Sequence, residues 1–424
     1  MSVPRIVELA QRIATNTSQV NEYLTVNNLP QPSFSPDGPL YGPVPKDAPP
    51  EIIDLNQSVL DDTTELHQLM LGPRDYLMHS FPQDALLPQQ AITRFGLARN
   101  LPIGGETTFA EMAALSGLSA NHIRKLVRYA VSQKIFEELR PGVITHSAAS
   151  RLLAEDTAVH DYVFCASDEF WQASAQTCNA MAQFPGSEEP TETGFALANK
   201  TNKSMYEFLA EYPDRSIRFG NFMRAFTSGS EFDMKHVVDS YSWEQHNGGT
   251  IVDVGGSQGF VSAAIARQHP SLSFIVQDLG PAIEGAHKGI PSEVADRVSF
   301  MAYNFMEPQP VVGADVYFFR WIFHNWSDKY CVKILKNLIP ALKEGSKIVV
   351  SDAVLPVPGE RPRKLEYEIR WFDTVMTEIL NAKEREIGEW EELFRSVDER
   401  FHFEGATTLP GAFHSIIVAT WKGS

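Results

Sequence analysis

Cysteine is scarce: Cys165, Cys178 and Cys331 are the only three in 424 residues. Three scattered thiols cannot build a disulfide framework or a cysteine-based zinc site, which fits a reducing compartment. Basic charge is also short, with 36 Lys and Arg against 53 Asp and Glu and a formal net charge of −17. A surface that negative repels phosphate backbones and anionic lipid, so neither nucleic acid nor membrane is expected as a partner. Long apolar runs are missing too. No stretch approaches the ~18 uncharged residues of a membrane span, and Met1–Glu8 lacks the apolar core of a signal peptide, so a cytoplasmic location is expected. Glycine and proline, 27 each, are at ordinary levels and exclude low-complexity classes. What is present is 43% hydrophobic and 21% charged residues, the composition of a globular chain with a sizeable core.

Apolar residues recur at helical spacing from Val3 to Leu24 (Ile6, Leu9, Ala10, Ile13), and Leu29 to Pro50 is crowded with proline and glycine. This reads as a helical arm and linker over 1–83, packed against either a partner subunit or its own chain. Over 84–155 the spacing predicts a helix from Thr108 to Leu115, a turn at Ser116–Leu118, and a helix from Ser119 to Ser132. Two short strands follow, at Ile135–Glu138 and Gly142–Thr145, completing a winged helix-turn-helix. His122, Arg124, Lys125, Arg128 and Lys134 lie on or beside its second helix. They could contact phosphates, but a solvated face or a dimer surface suits the net charge better. A helical connector, 156–236, is rich in large apolar groups. From it, Met223 and Phe226 are candidates to line an apolar pocket. After Val237 strands and helices alternate to the C-terminus, which indicates βαβ units and a doubly wound parallel α/β sheet over 237–424.

Three constellations in this last region carry chemistry. Asp253-Val-Gly255-Gly256-Ser257-Gln258-Gly259 follows the first strand and opens a helix, where glycines let the backbone turn tightly and approach a ligand. Asp278 ends the second strand, where a carboxylate can accept from both hydroxyls of a ribose. An aspartate leading into the loop would repel a pyrophosphate but favour a sulfonium, which points to S-adenosylmethionine rather than a dinucleotide. The third is Arg320-Trp-Ile-Phe-His324-Asn-Trp-Ser-Asp328, where the fourth strand gives way to a helix. A histidine there can take a proton from a hydroxyl, with Asp352 and Glu384 as carboxylates able to orient it.

These segments, with Ser351-Asp-Ala-Val-Leu-Pro356 and Ala382-Lys-Glu-Arg385, resemble the caffeate-type S-adenosylmethionine-dependent O-methyltransferases, above all their fungal secondary-metabolite branch. The resemblance covers nearly the whole chain. It implies a Rossmann-like methyltransferase domain behind a helical, winged-helix N-terminal domain that serves homodimerisation. Residue by residue, it implies that Gly255 and Gly256 approach the methionine part of the cofactor and Asp278 its ribose. Asn304 and Phe305 would sit at the adenine, and Arg320 near the cofactor. His324 matches the general base with Asp352 and Glu384 as flanking carboxylates, and Met376 an apolar clamp on the acceptor ring. Two residues depart from the pattern: Asn304 and Asn325 stand where the family commonly has aspartate.

The implied activity is methylation of a hydroxyl on an aromatic or polyketide-like small molecule. Two alternatives belong to other classes. Some proteins of this fungal branch bind the same cofactor yet catalyse dehydrations and pericyclic rearrangements, and the fold does not separate these from methyl transfer. A DNA-binding regulator built on the winged helix leaves the cofactor motifs unexplained.

Overall fold

Cap chemistry and hydrophobic spacing set most of the local structure. In this computed structural model residues 3–79 and 84–423 are described. The chain divides into two compact units. The first comprises Met1–Gln172, Leu209–Thr227 and Pro362–Lys364, and the second Ala173–Phe208, Ser228–Arg361 and Leu365–Ser424. No helix among the described residues is long and apolar enough to cross a membrane.

In the first unit the helix Arg5–Val26 packs along the helical segment Pro50–His79, which breaks at Gly72 (φ 69) ahead of Pro73. The pairing is polar at its rim: Arg5 donates twice to Glu65, at 2.8 and 2.7 Å, and Arg12 reaches buried Asp62 at 2.7 Å. The N-terminal arm therefore lies on its own chain.

The winged helix forms with one strand more than the sequence predicts. Helix Phe109–Ser116 starts at a capping box between Thr108 and Glu111 and stops at Gly117 in the left-handed conformation (φ 73). Helix Ala120–Ser132 is capped by Ser119 and buries Ile123, Val127 and Ala130. The wing strands β2 (Phe136–Arg140) and β3 (Val143–His146) are joined by β1 (Glu106–Thr108), giving the sheet order β1-β3-β2. Arg128 on the second helix donates to Glu138 of the wing at 2.9 and 2.7 Å, and Arg140 pairs with Glu106. These cations are therefore already matched by carboxylates, which lowers the positive potential a duplex would meet.

The second unit is built on a seven-stranded sheet. Its strands are β4 (Thr250–Val254), β5 (Ser273–Asp278), β6 (Val298–Ala302), β7 (Val316–Arg320), β8 (Lys347–Asp352), β11 (Phe401–Thr407) and β12 (Ser415–Trp421). A separate two-stranded piece pairs β9 (Val354–Leu355) with β10 (Arg385–Glu386). The large sheet runs β11-β12-β8-β7-β4-β5-β6, with β4 to β8 parallel and β11 and β12 antiparallel at one edge. Alternation sorts its side chains. Val252, Val254, Tyr317, Phe319, Ile348 and Val350 face one core with helices Asp328–Leu338 and Ile387–Val397, while Ile251, Phe274, Val276, Val316, Phe318 and Val349 face the other with helix Phe260–Gln268. Strand order reverses beside β4, and the crevice outside the carboxyl ends at such a switch point is where open α/β sheets bind ligands.

Candidate active site

Four adjacent parallel strands end in polar residues that the sequence picked out separately. Asp352 closes β8, Arg320 closes β7, Asp253 lies one residue before the end of β4, and Asp278 closes β5. Asp253 occupies a position where alternation calls for an apolar group. It is buried, its carboxylate accepts from Ser262 Oγ at 2.6 Å, and burial raises its pKa to about 6 against that hydrogen bond and the charge of Arg320.

The glycine loop is shaped by what lies beneath it. A Cβ on Gly256 would come within 2.5–2.8 Å of the Asp253 carboxyl group, and one on Gly255 (φ 77) within 2.4 Å of Ile322. Both backbone N–H groups donate to Gln277 O, at 2.7 and 3.1 Å, which holds the loop against β5. Asp278 accepts from Ser257 N at 3.0 Å and from Leu279 N at 2.7 Å, one bond per carboxylate oxygen, so each oxygen keeps acceptor capacity. Phe305 lies beside the loop, 4.0 Å from the place of a Gly255 Cβ, with its ring edge-on to Trp326. Asn304 turns its side-chain carbonyl onto Met306 N at 3.0 Å. Arg320 has lost proton affinity through burial despite the charges of Asp253 and Asp352, and its Nε has no hydrogen-bond partner among the described residues.

His324 sits in a short turn, Phe323–Asn325, after β7 and is 4% exposed. Its Nδ1 lies 2.9 Å from Glu384 Oε1 and its backbone N–H donates to Asp352 Oδ2 at 3.2 Å. An ionised Glu384 can only accept, so the neutral ring carries its proton on Nδ1 and presents a lone pair on Nε2. Nε2 has no partner among the described residues. Burial pulls the His324 pKa down, but the charge and hydrogen bond of Glu384, with the charge of Asp352, outweigh it and raise the value above that of free imidazole. Asp352 is buried as well, and burial, with the charge of Glu384, pushes its pKa to about 7 despite the pull of His324.

Sequence reasoning missed how the histidine is held. Arg385 is 1% exposed, donates twice to Asp328 Oδ1 at 3.0 and 2.8 Å, and caps the carbonyls of Phe323 at 3.2 Å and Trp326 at 3.0 Å. It thereby brackets the turn bearing His324. Phe372 stacks on the imidazole with ring centroids 5.6 Å apart. His414, immediately before β12, places Nδ1 3.3 Å from Ser351 Oγ and has a pKa far below the ordinary value through burial and the charges of Arg320 and His324. Only Arg385 had a signal in the sequence, its adjacency to Glu384. Met376 is buried on helix Arg363–Leu380. Met223 and Phe226 lie on helix Pro213–Phe226 of the first unit, where Phe226 stacks on Phe222 at 6.1 Å.

A glycine-rich loop at the carboxyl ends of the central strands, an aspartate with acceptor capacity to spare and a buried histidine between carboxylates narrow the chemistry, and comparison with known proteins decides the family. Residues 197–398 match the model of the O-methyltransferase domain. O-methyltransferase pyvH of Aspergillus violaceofuscus is 38% identical over the whole of both chains. The chain belongs to the O-methyltransferase family. Chlorophenol O-methyltransferase of Trichoderma longibrachiatum is 36% identical over 98% of this methyltransferase and 90% of its own length. Among solved structures, OxaC superposes with a TM-score of 0.75 at 21% identity, covering 98% of this chain and 99% of its own, which supports the fold.

Proposed function

We propose that this S-adenosylmethionine-dependent O-methyltransferase of fungal secondary metabolism uses His324 as general base on a hydroxyl of an aromatic or polyketide-like metabolite. One observation carries the reading: a buried imidazole with Nδ1 committed to Glu384 and Nε2 left for a proton from elsewhere. The residues at the carboxyl ends of the central strands fit the cofactor. Gly255 and Gly256 offer bare backbone, Asp278 keeps acceptor capacity for ribose hydroxyls, and the acids at the ends of β4 and β5 favour a cation. Asn304 and Phe305 would face its adenine, with Arg320 close by. The cofactor supplies an electrophilic methyl group on a positively charged sulfur.

His324 Nε2 accepts the hydroxyl proton as the acceptor oxygen becomes a nucleophile. A free phenol has a pKa near 10, so proton removal concurrent with attack is worth about 10²–10⁴-fold. Glu384 and Asp352 stabilise the imidazolium that forms, and they supply the negative charge that Asn325 does not. Met376, buried on helix Arg363–Leu380, is assigned to the acceptor as an apolar contact. Holding both reactants in line contributes as much as the base.

The test is mass spectrometry of the purified protein with S-adenosylmethionine and a panel of phenols, with a chlorinated phenol among them. A product heavier by one methyl, with S-adenosylhomocysteine released, is expected. An isomerised or dehydrated product with the cofactor unconsumed would instead establish the pericyclic alternative.

A further inference from the structure

Trp321 follows Arg320 at the end of β7 with φ 59, a left-handed conformation that suits glycine and strains a bulky aromatic residue. Strain of this kind persists only where the surroundings hold it, and it gathers at active sites. Here the backbone is pinned on both sides. Trp321 N–H donates to Ser351 O on β8 at 3.2 Å, and Trp321 C=O accepts from Asn325 Nδ2 at 2.8 Å. A carbonyl oxygen can only accept, so the side-chain amide of Asn325 must turn its NH₂ toward it. The Tyr206 hydroxyl stands 3.5 Å from Asn325 Oδ1, on the accepting side. The indole held this way meets the imidazole of His324 edge-to-face with centroids 5.0 Å apart, and also packs on Phe372 at 5.5 Å and His414 at 4.7 Å.

We propose that Asn325 is a positioning residue: its amide locks Trp321 in the left-handed conformation, and the indole so placed fixes the orientation of the His324 ring for proton transfer. The inference rests on His324 being the base. It also gives a reason for the amide at a place where the resemblance leads one to expect aspartate. An ionised aspartate has no donor and would set a carboxylate oxygen against the Trp321 carbonyl.

A double-mutant cycle tests the lock, because glycine takes φ 59 without strain and Trp321→Gly removes both the need for the lock and the ring it positions. In the wild-type background Asn325→Ala and Asn325→Asp are expected to lower the melting temperature. Each should reduce kcat about tenfold on the phenol that the wild type methylates, the worth of one lost hydrogen bond, with KM for S-adenosylmethionine unchanged. In the Trp321→Gly background Asn325→Ala should change neither quantity further. Unchanged kcat in Asn325→Ala, or effects that add fully in the double variant, would overturn the proposal. The melting cycle needs no turnover, so it reads the Asn325–Trp321 link even if His324→Ala stays active and the base assignment itself fails.

Discussion

His324 in the second unit and His160 in the first each have a carboxylate oxygen 2.9 Å from Nδ1, and each has a buried Nε2 with no partner among the described residues. Their proton affinities nevertheless move in opposite directions. Around His160, burial lowers the pKa, and the charges of Arg99 and Arg218 add to it against the pull of Asp161. Asp161 is also shared, since its second oxygen accepts from Asn221 at 2.7 Å. Around His324 the charge and hydrogen bond of Glu384, joined by the charge of Asp352, outweigh burial and the opposing charge of Arg385. A histidine–carboxylate pair therefore does not define a base. The sign of the charges around the pair decides whether a proton is welcome.

The largest effect that could break this comparison is expected at His324. His324→Ala should bind S-adenosylmethionine with wild-type affinity by calorimetry and lose turnover by about 10²–10⁴-fold. Retained turnover would leave the two histidines equivalent. Next comes the clasp. Arg385→Lys cannot cap the Phe323 and Trp326 carbonyls together while pairing with Asp328, and should cost roughly 3 kcal/mol of stability along with kcat, read by denaturant melts and steady-state kinetics.

A smaller effect separates the histidines by pH. Below about pH 6.5 the unfolded chain binds a proton that folded His160 resists, so this residue makes stability fall with falling pH. Folded His324 binds its proton more tightly than the unfolded chain, so its contribution is present below about pH 6.5 and lost as pH rises through the raised folded value. Thermal melts should show His160→Gln flattening the acid side and His324→Gln the alkaline side. Changes on the same side for both variants would refute the opposite signs. The smallest effect belongs to the winged helix. Arg128→Ala removes an exposed pair with Glu138 and should change stability by less than about 1 kcal/mol. A gel shift of the wild type with random duplex at low salt should show no retention.

How far the site was legible follows from where its parts come from. The glycine loop, Asp278 and His324 stand at the ends of strands that short apolar runs mark in the sequence. Glu384 and Asp352, candidates from the sequence that the resemblance matched to flanking roles, reach His324 from 60 and 28 residues away. Sequence spacing alone could not rank them above Asp161, the direct neighbour of His160. Three features stayed hidden. The edge strand β1 is three residues long, too short for a periodic signal. The burial of Arg385 runs against every prior for a charged residue. The left-handed Trp321 depends on an amide four residues on, which reads in the sequence only as a departure from the family pattern.

Carboxylates raise the proton affinity of His324, and the pH dependence of kcat/KM for wild type and Glu384→Gln reads that effect at the proposed base. The acid limb of the wild type should lie above the free-imidazole value of about 6.5, as an apparent value shared with Asp352, and Glu384→Gln should move it to lower pH while lowering the plateau. Coincident acid limbs in the two proteins would mean that Glu384 does not set the proton affinity of the base.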